Sequence, residues 1–451
     1  MSPSERRAAL GLAGIYGSRM LGLFLILPVF ALYAEKLPDA TPLLTGLAIG
    51  IYGLTQALLQ IPFGLLSDKL GRKPVILGGL LLFAAGSVVA ALATNIEWII
   101  VGRALQGSGA VAAAVMALAA DLTREDQRTK VMAVIGTTIG MSFMVAMISA
   151  PVLDTWLGVS GIFWLTALLA LLGGVLLMGV VPKPASSTHH RDALPVPAMF
   201  RRVLSDGQLL RLDLGIFSLH LVLTSLFLVV PLALRDAGLP LEQHSLLYAP
   251  VMVLSIAAMV PFVIIAEKRG RMKQVFIGAI ATIALGELAL WGALGSFWGL
   301  AIALWVFFVG FNLLEATLPS LVSKLAPADA KGTAMGVYST SQFAGAFVGG
   351  LAGGWAHEHY GIHGVLLLAV VVTAGWLLIA SSMRNPGRHA SRLLKVAVSD
   401  DSAARSLASR LGAVPGVVEA VVVADDGVAY LKVDKSALDE AALDAICASG
   451  A

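Results

Sequence analysis

The sequence reads as an all-α polytopic membrane protein of twelve transmembrane helices in two six-helix bundles, with a small α+β ferredoxin-like domain after them. Three observations lead there. Of 451 residues, 58% are hydrophobic and only 13% charged, about half the charged share of a soluble domain. Twelve apolar runs reach roughly the 20 residues that a helix needs to cross a bilayer. After residue 383 the composition turns polar and the hydrophobic period changes.

The expected spans lie near 8–34, 43–66, 75–94, 98–121, 131–153 and 161–181, then 211–235, 244–266, 273–293, 297–320, 333–355 and 361–383. The apolar run at 8–34 exceeds the h-region of a signal peptide, so it is read as a retained first helix. Loop charge sets the orientation. Nineteen Lys and Arg, among them Arg6, Lys69, Arg124, Arg202, Arg269 and Lys324, fall on one side; Lys36 and Arg235 fall on the other. The positive-inside rule then puts both termini in the cytoplasm of a multi-pass inner-membrane protein.

The halves repeat. Pro62-Phe63, Asp68-Lys69 and Gly71-Arg72 recur at the same spacing as Pro261-Phe262, Glu267-Lys268 and Gly270-Arg271, and Leu23-Phe24-Leu25-Ile26-Leu27-Pro28 matches Leu226-Phe227-Leu228-Val229-Val230-Pro231. Parallel six-span repeats are the internal symmetry of one large transporter class. The domains are therefore 1–181 and 211–384 for the bundles, 182–210 for the linker, and 388–451 for the tail. In the tail, strands are expected at 393–398, 417–423 and 428–433 and helices at 402–411 and 437–448, with a turn at Asp425-Asp426-Gly427. The β-α-β-β-α order is that of a ferredoxin-like domain without its last strand.

Gly64-Leu65-Leu66-Ser67-Asp68-Lys69-Leu70-Gly71-Arg72-Lys73 resembles the signature loop between spans 2 and 3 of the major facilitator superfamily. Arg103-Ala104-Leu105-Gln106-Gly107 resembles its fourth-span motif. Gly136, Gly140 and Ala150-Pro151 resemble its fifth-span antiporter motif, departing from it at Val152-Leu153-Asp154. The resemblance covers nearly the whole chain. It implies the major facilitator fold, spans 1, 4, 7 and 10 around a central cavity, and a proton-driven exporter of drug-like compounds. No cofactor is implied beyond the proton as coupling ion.

Within that frame the loop forms a gating group: Gly64, Asp68, Lys69, Gly71, Arg72, Lys73 and Asp121. Glycines at 64 and 71 allow close approach and a tight turn. Asp68 is expected against the positive end of span 11 near Gly332-Thr333, and Arg72 against Asp121. The bland alternative is loop charge that serves orientation alone.

Charges inside spans mark function, because each costs about 2.5–3.5 kcal/mol at mid-bilayer. Arg19, Arg103, Asn312 and Glu315 qualify. Glu315 has no basic neighbour in its own span and is the candidate proton carrier, with a structural hydrogen-bonding acid as the alternative. Arg103 and Gln106 share a helix face, and Arg103 either tunes a carboxyl or binds backbone carbonyls. His220 is either a titrating group or a hydrogen-bonding polar residue. Tyr52, Gln56 and Gln60 form one stripe and Tyr338 with Gln342 another, either cavity contacts or glue between bundles. Gly136 and Gly140 are expected to be close-packing sites.

One cysteine, Cys447, excludes an intrachain disulfide framework, and the loop after the first tail strand has no cysteine for a soft metal. Without a nucleophile–base pair, metal cluster or phosphate loop the chain is not expected to be an enzyme, and a net charge of +3 gives no case for nucleic acid. The expected partners are lipid, protons and a small lipophilic or amphipathic substrate, with an unknown cytoplasmic ligand or self-contact for the tail. The alternatives are a proton-coupled importer of a polar solute, and a non-transporting sensor that signals through 388–451.

Overall fold

The computed structural model describes residues 1–182, 197–327, 330–385, 389–396, 398, 400–424, 427–434 and 437–449. Most of the expected linker, including Lys183 and Arg191, the 425–426 part of the expected turn, and Ser399 lie outside the described residues.

Among them are ten helices long and apolar enough to cross a membrane. Two are double. Glu125–Gly179 is interrupted at Gly158 (φ +66°) and Lys331–Ser381 at Gly361 (φ +65°). Only glycine adopts this left-handed backbone at no steric cost, so each glycine splits its helix into two spans. The total is twelve. The repeated Pro also has a structural counterpart. Span 1 breaks between Pro3–Phe24 and Leu27–Ala34, and span 7 between Gly207–Leu226 and Val230–Asp236. Pro28 and Pro231 sit at the first turn of each second segment, where a missing N–H costs nothing. Span 4 breaks too, between Ile96–Ser108 and Ala112–Asp121.

Spans 2 (Pro42–Leu70) and 11 form the closest seam between the bundles. Glycine makes it possible. A Cβ on Gly50 would lie 2.8 Å from the Phe347 carbonyl oxygen, and one on Gly354 would lie 2.6 Å from that of Pro42. Gly136 and Gly140 differ from expectation: a Cβ at either meets nothing within 4 Å. Span 5 turns those glycines outward and packs on span 1 through residues such as Ser142, whose hydroxyl donates to Gly17 O at 2.8 Å.

The tail forms a three-stranded antiparallel sheet in the order β1 (His389–Lys395), β3 (Val428–Asp434), β2 (Val417–Val423), with helices Asp401–Gly412 and Glu440–Ser449. The first strand lies earlier than expected because its register runs along the whole of β3, from His389↔Asp434 to Lys395↔Val428. The last helix starts later because Asp439 caps it, accepting from Ala442 N–H at 3.0 Å. Span 7 begins at Gly207, before the expected 211, since Asp206 accepts from the N–H groups of Gln208 and Leu209. Leu407, Leu411, Ala429, Leu431, Val433 and Leu443 make the tail's own core.

The domain docks on the second bundle. Lys432 Nζ donates to Leu325 O (3.1 Å) and Ala326 O (3.4 Å), the carbonyls that end span 10 (Phe297–Leu325). Burial pushes the Lys432 ammonium below the usual lysine range, as desolvation does to a buried cation. Arg202, on the linker helix Pro197–Ser205, pairs with Glu419 at 2.7 Å.

Candidate functional site

The loop between spans 2 and 3 (Arg72–Leu92) turns at Gly71 (φ +93°), a backbone that a side chain would strain. Gly64 faces span 4, where an added Cβ would lie 3.2 Å from that of Ala113. Arg72 is buried between two carboxylates. It pairs with Asp68 one turn earlier, its Nε lies 3.2 Å from Asp121 Oδ2, and its Nη1 donates to Ser67 Oγ at 2.8 Å. Lys73 donates to Leu177 O and Val181 O at the end of span 6. Lys69 is exposed. The described partners of Asp68, Arg72 and Asp121 all belong to the first bundle. Asp68 makes no hydrogen bond to span 11 here, and the Thr333 hydroxyl is buried without a partner. The expected Asp68–span 11 contact is therefore absent among the described residues: the short side chain is drawn onto its i+4 guanidinium. In the second bundle Glu267 instead takes Lys324 (2.7 Å) and Ser320 (2.9 Å) of span 10.

Polar contacts between the bundles gather at the opposite end. Glu35 pairs with Arg235, Leu43 N–H donates to Glu358 at 3.0 Å, and Ser245 Oγ donates to Ile148 O at 2.6 Å. Towards the basic end, Gln60 bridges spans 2 and 11, donating to Thr340 Oγ1 (2.6 Å) and Gly336 O (3.3 Å). Gln60 thus acts as glue. Between these levels an aromatic cluster joins the bundles: Phe143 of span 5 lies 5.2 Å from Phe24, 6.5 Å from Phe227, 6.2 Å from Phe308 and 5.6 Å from Phe311.

Beside that cluster, three spans of the second bundle bring titratable and polar groups together. His220 (span 7) has Nε2 2.8 Å from Gln342 Nε2 (span 11) and 3.6 Å from Glu315 Oε1 (span 10). Gln342 Nε2 can only donate, so His220 Nε2 accepts, and Nδ1–H faces Ile216 O at 3.3 Å. This is the neutral tautomer. Protonation at Nε2 would turn that acceptor into a donor facing the carboxylate. Glu315 Oε1 and the Tyr338 hydroxyl have no hydrogen-bond partner, and Tyr338 lies within electrostatic range of both Glu315 and Asp213. Asn312 donates to Ser255 at 2.9 Å.

The first bundle holds the arginines. Arg103 donates to Ala48 O, Ile49 O and Gln106 Oε1 (2.8 Å), and Gln106 donates onward to Ser87. Of its two expected roles, carbonyl binding is the one seen. Arg19 donates to Gln56 Oε1 at 2.6 Å, and Tyr52 lies between Phe83 and the second bundle's Phe343.

Sequence reasoning missed three features. Asp213 is a second buried acid in span 7 whose signal, a lone carboxylate two residues inside the expected span, was available. The Glu35–Arg235 pair and the aromatic cluster left no local signal, since their members are scattered over several spans. Glu287, in the peripheral span 9 (Met272–Gly292), is fully buried and accepts from Thr373 of span 12 at 2.8 Å.

The family description "Major Facilitator Superfamily" matches residues 12–349 and 212–413. The chain is 47% identical over 434 residues, 96% of itself and 95% of the relative, to "Inner membrane transport protein YajR" of Escherichia coli K12. It is 33% identical to "Uncharacterized transporter BU466" of Buchnera aphidicola (76% and 89% covered), and 25% identical to "Multidrug resistance protein MdtH" of Salmonella typhimurium (75% and 84%). Among solved structures, a bacterial homologue of the human lysosomal transporter Spinster in an inward-facing, occupied conformation matches with TM-score 0.67 at 13% identity, covering 85% of this chain and 98% of that one.

Proposed function

Because the chain belongs to the Major Facilitator Superfamily and is a multi-pass membrane transporter rather than an enzyme, we propose that it is a proton-driven exporter of small lipophilic or amphipathic compounds. The observation that carries this is Glu315. Its Oε1 lacks a hydrogen-bond donor and faces the accepting nitrogen of His220, whose ring lies 6.2 Å from Phe311 of an aromatic cluster shared by both bundles. A carboxyl held without a donor gains most from a proton, and an apolar wall suits a lipophilic cargo.

In this account Glu315 and His220 accept a proton when the site faces the outer side and lose it to the cytoplasm. Both termini and the basic loops lie in the cytoplasm of an inner membrane. The bundles then rock about the midplane, the Glu35–Arg235 end closed in the conformation described. Asp68, Arg72 and Asp121 latch the other end when it closes.

The test uses everted vesicles with an acid lumen. Lipophilic compounds are added outside while lumenal pH is followed. Antiport predicts that some compound triggers proton release from the lumen, and that Glu315→Gln abolishes it in a protein that still folds. No release across a broad panel, with a working exporter alongside, removes the exporter reading in favour of import of a polar solute or sensing through the tail.

A further inference from the structure

Arg19 is the anomaly of the first bundle. It is 1% exposed, in the middle of a membrane-spanning helix, and among the described residues no carboxylate pairs with it. Arg103 is equally buried, but its guanidinium is spent on Ala48, Ile49 and Gln106. Arg19 uses only Nη2, on the carbonyl oxygen of Gln56. Its Nε and Nη1 have no acceptor. That single bond also consumes the acceptor end of Gln56, so the Gln56 NH2, itself buried, is left without a partner. The Tyr52 hydroxyl is oriented towards the guanidinium but not in good hydrogen-bond geometry with it.

Every orphaned atom at this spot can donate. A guanidinium and an amide NH2 have no lone pairs to offer. Leaving such groups unpaired in an apolar surround is costly, and stacking over Phe83 (5.5 Å) and Tyr52 (5.8 Å) offsets only part of it. The missing complement is an acceptor-only group with charge, and a planar anion such as a carboxylate matches the guanidinium fork. The surround is aromatic: Tyr52 and Phe83 from the first bundle, Phe343 from span 11 of the second, 6.2 Å from Tyr52. Separation of the bundles would withdraw Phe343 from Tyr52.

We infer that Arg19, Gln56 and Tyr52 form the subsite for the anionic group of the transported compound, which makes the cargo an amphipathic organic anion with a flat apolar body. This rests on the transporter reading above, but its test needs no flux.

The full-length protein in lipid nanodiscs is assayed for equilibrium binding of radiolabelled naphthalene-1-acetate, naphthalene-2-sulfonate and dodecanoate. Unlabelled 1-naphthylmethylamine, acetate and chloride serve as competitors. Saturable binding of at least one anion is expected. The matched amine, acetate and chloride should compete poorly. Arg19→Gln should weaken affinity at least tenfold, and Arg19→Lys should restore part of it. Arg19→Met removes an unpaired buried cation, so it should be at least as heat-stable as the parent, and its loss of binding is not misfolding. Three results overturn the assignment: no saturable binding by any of the three anions, equal competition by the amine, or affinity unchanged in Arg19→Gln. Acetate or chloride competing as well as naphthalene-1-acetate also overturns it, because the site then holds a free ion. Arg19-dependent binding without transport would instead count against the exporter reading alone.

Discussion

Arg72 lies between Asp68 and Asp121 with all three side chains less than 10% exposed. Removing one member of such a group strands the others' charge, which typically costs 3–5 kcal/mol, whereas removing charge of both signs costs far less. Arg72→Ala should therefore lower unfolding stability by about 3–5 kcal/mol, with Arg72→Met/Asp121→Asn recovering much of that in a double-mutant cycle. The acids of spans 9 and 10, Glu287 fully buried and Glu315 31% exposed, should behave oppositely. Glu287 needs only one oxygen to accept from Thr373, which an amide supplies equally well, so Glu287→Gln should largely retain flux and cost no more than about 1 kcal/mol of stability. Glu315→Gln should abolish coupling without unfolding the protein. The sequence singled out Arg72, Asp121 and Glu315 because charge next to apolar runs stands out in one dimension. It could not show that Asp68 would turn to its own helix, since the choice between Arg72 and span 11 depends on which end of the molecule is closed.

Spans 2 and 11 meet through backbone, and that seam is an element-scale property. Gly50→Val would place atoms within 2.8 Å of the Phe347 carbonyl, and overpacking of this kind costs about 1–3 kcal/mol. The same change at Gly136, where nothing lies within 4 Å, should be nearly silent in thermal unfolding. Glycine spacing alone did not separate the two cases. Both positions satisfy a small-xxx-small pattern, and only the rotation of each helix tells seam from open face. The kinks follow the internal repeat: Pro28 and Pro231 match in sequence, and the first span of each bundle breaks there. In the tail, Lys432→Met should loosen the domain from the end of span 10, seen as faster proteolytic release of the tail with transport largely retained.

At the scale of the whole molecule the twelve spans, the two-bundle division and the appended sheet follow from hydrophobic runs, an internal repeat and a change of period. What stayed hidden is how the bundles face each other. The Glu35–Arg235 closure, the Phe143 cluster and the His220–Gln342–Glu315 group each draw on residues far apart in sequence. Under the proposed mechanism, that arrangement confines coupling to a few side chains at the meeting surface, with the remaining helices as rigid bodies that rock around it.

In the proposed mechanism Glu315 couples cargo movement to protons without itself building the cargo site. The most direct measurement compares two modes in vesicles loaded with a transported compound: exchange of labelled for unlabelled cargo at equal pH, and net movement driven by a pH gradient. Glu315→Gln should keep exchange within a fewfold of the parent and lose gradient-driven movement. Net transport that persists in Glu315→Gln, or exchange and net transport lost together in a folded protein, would contradict it.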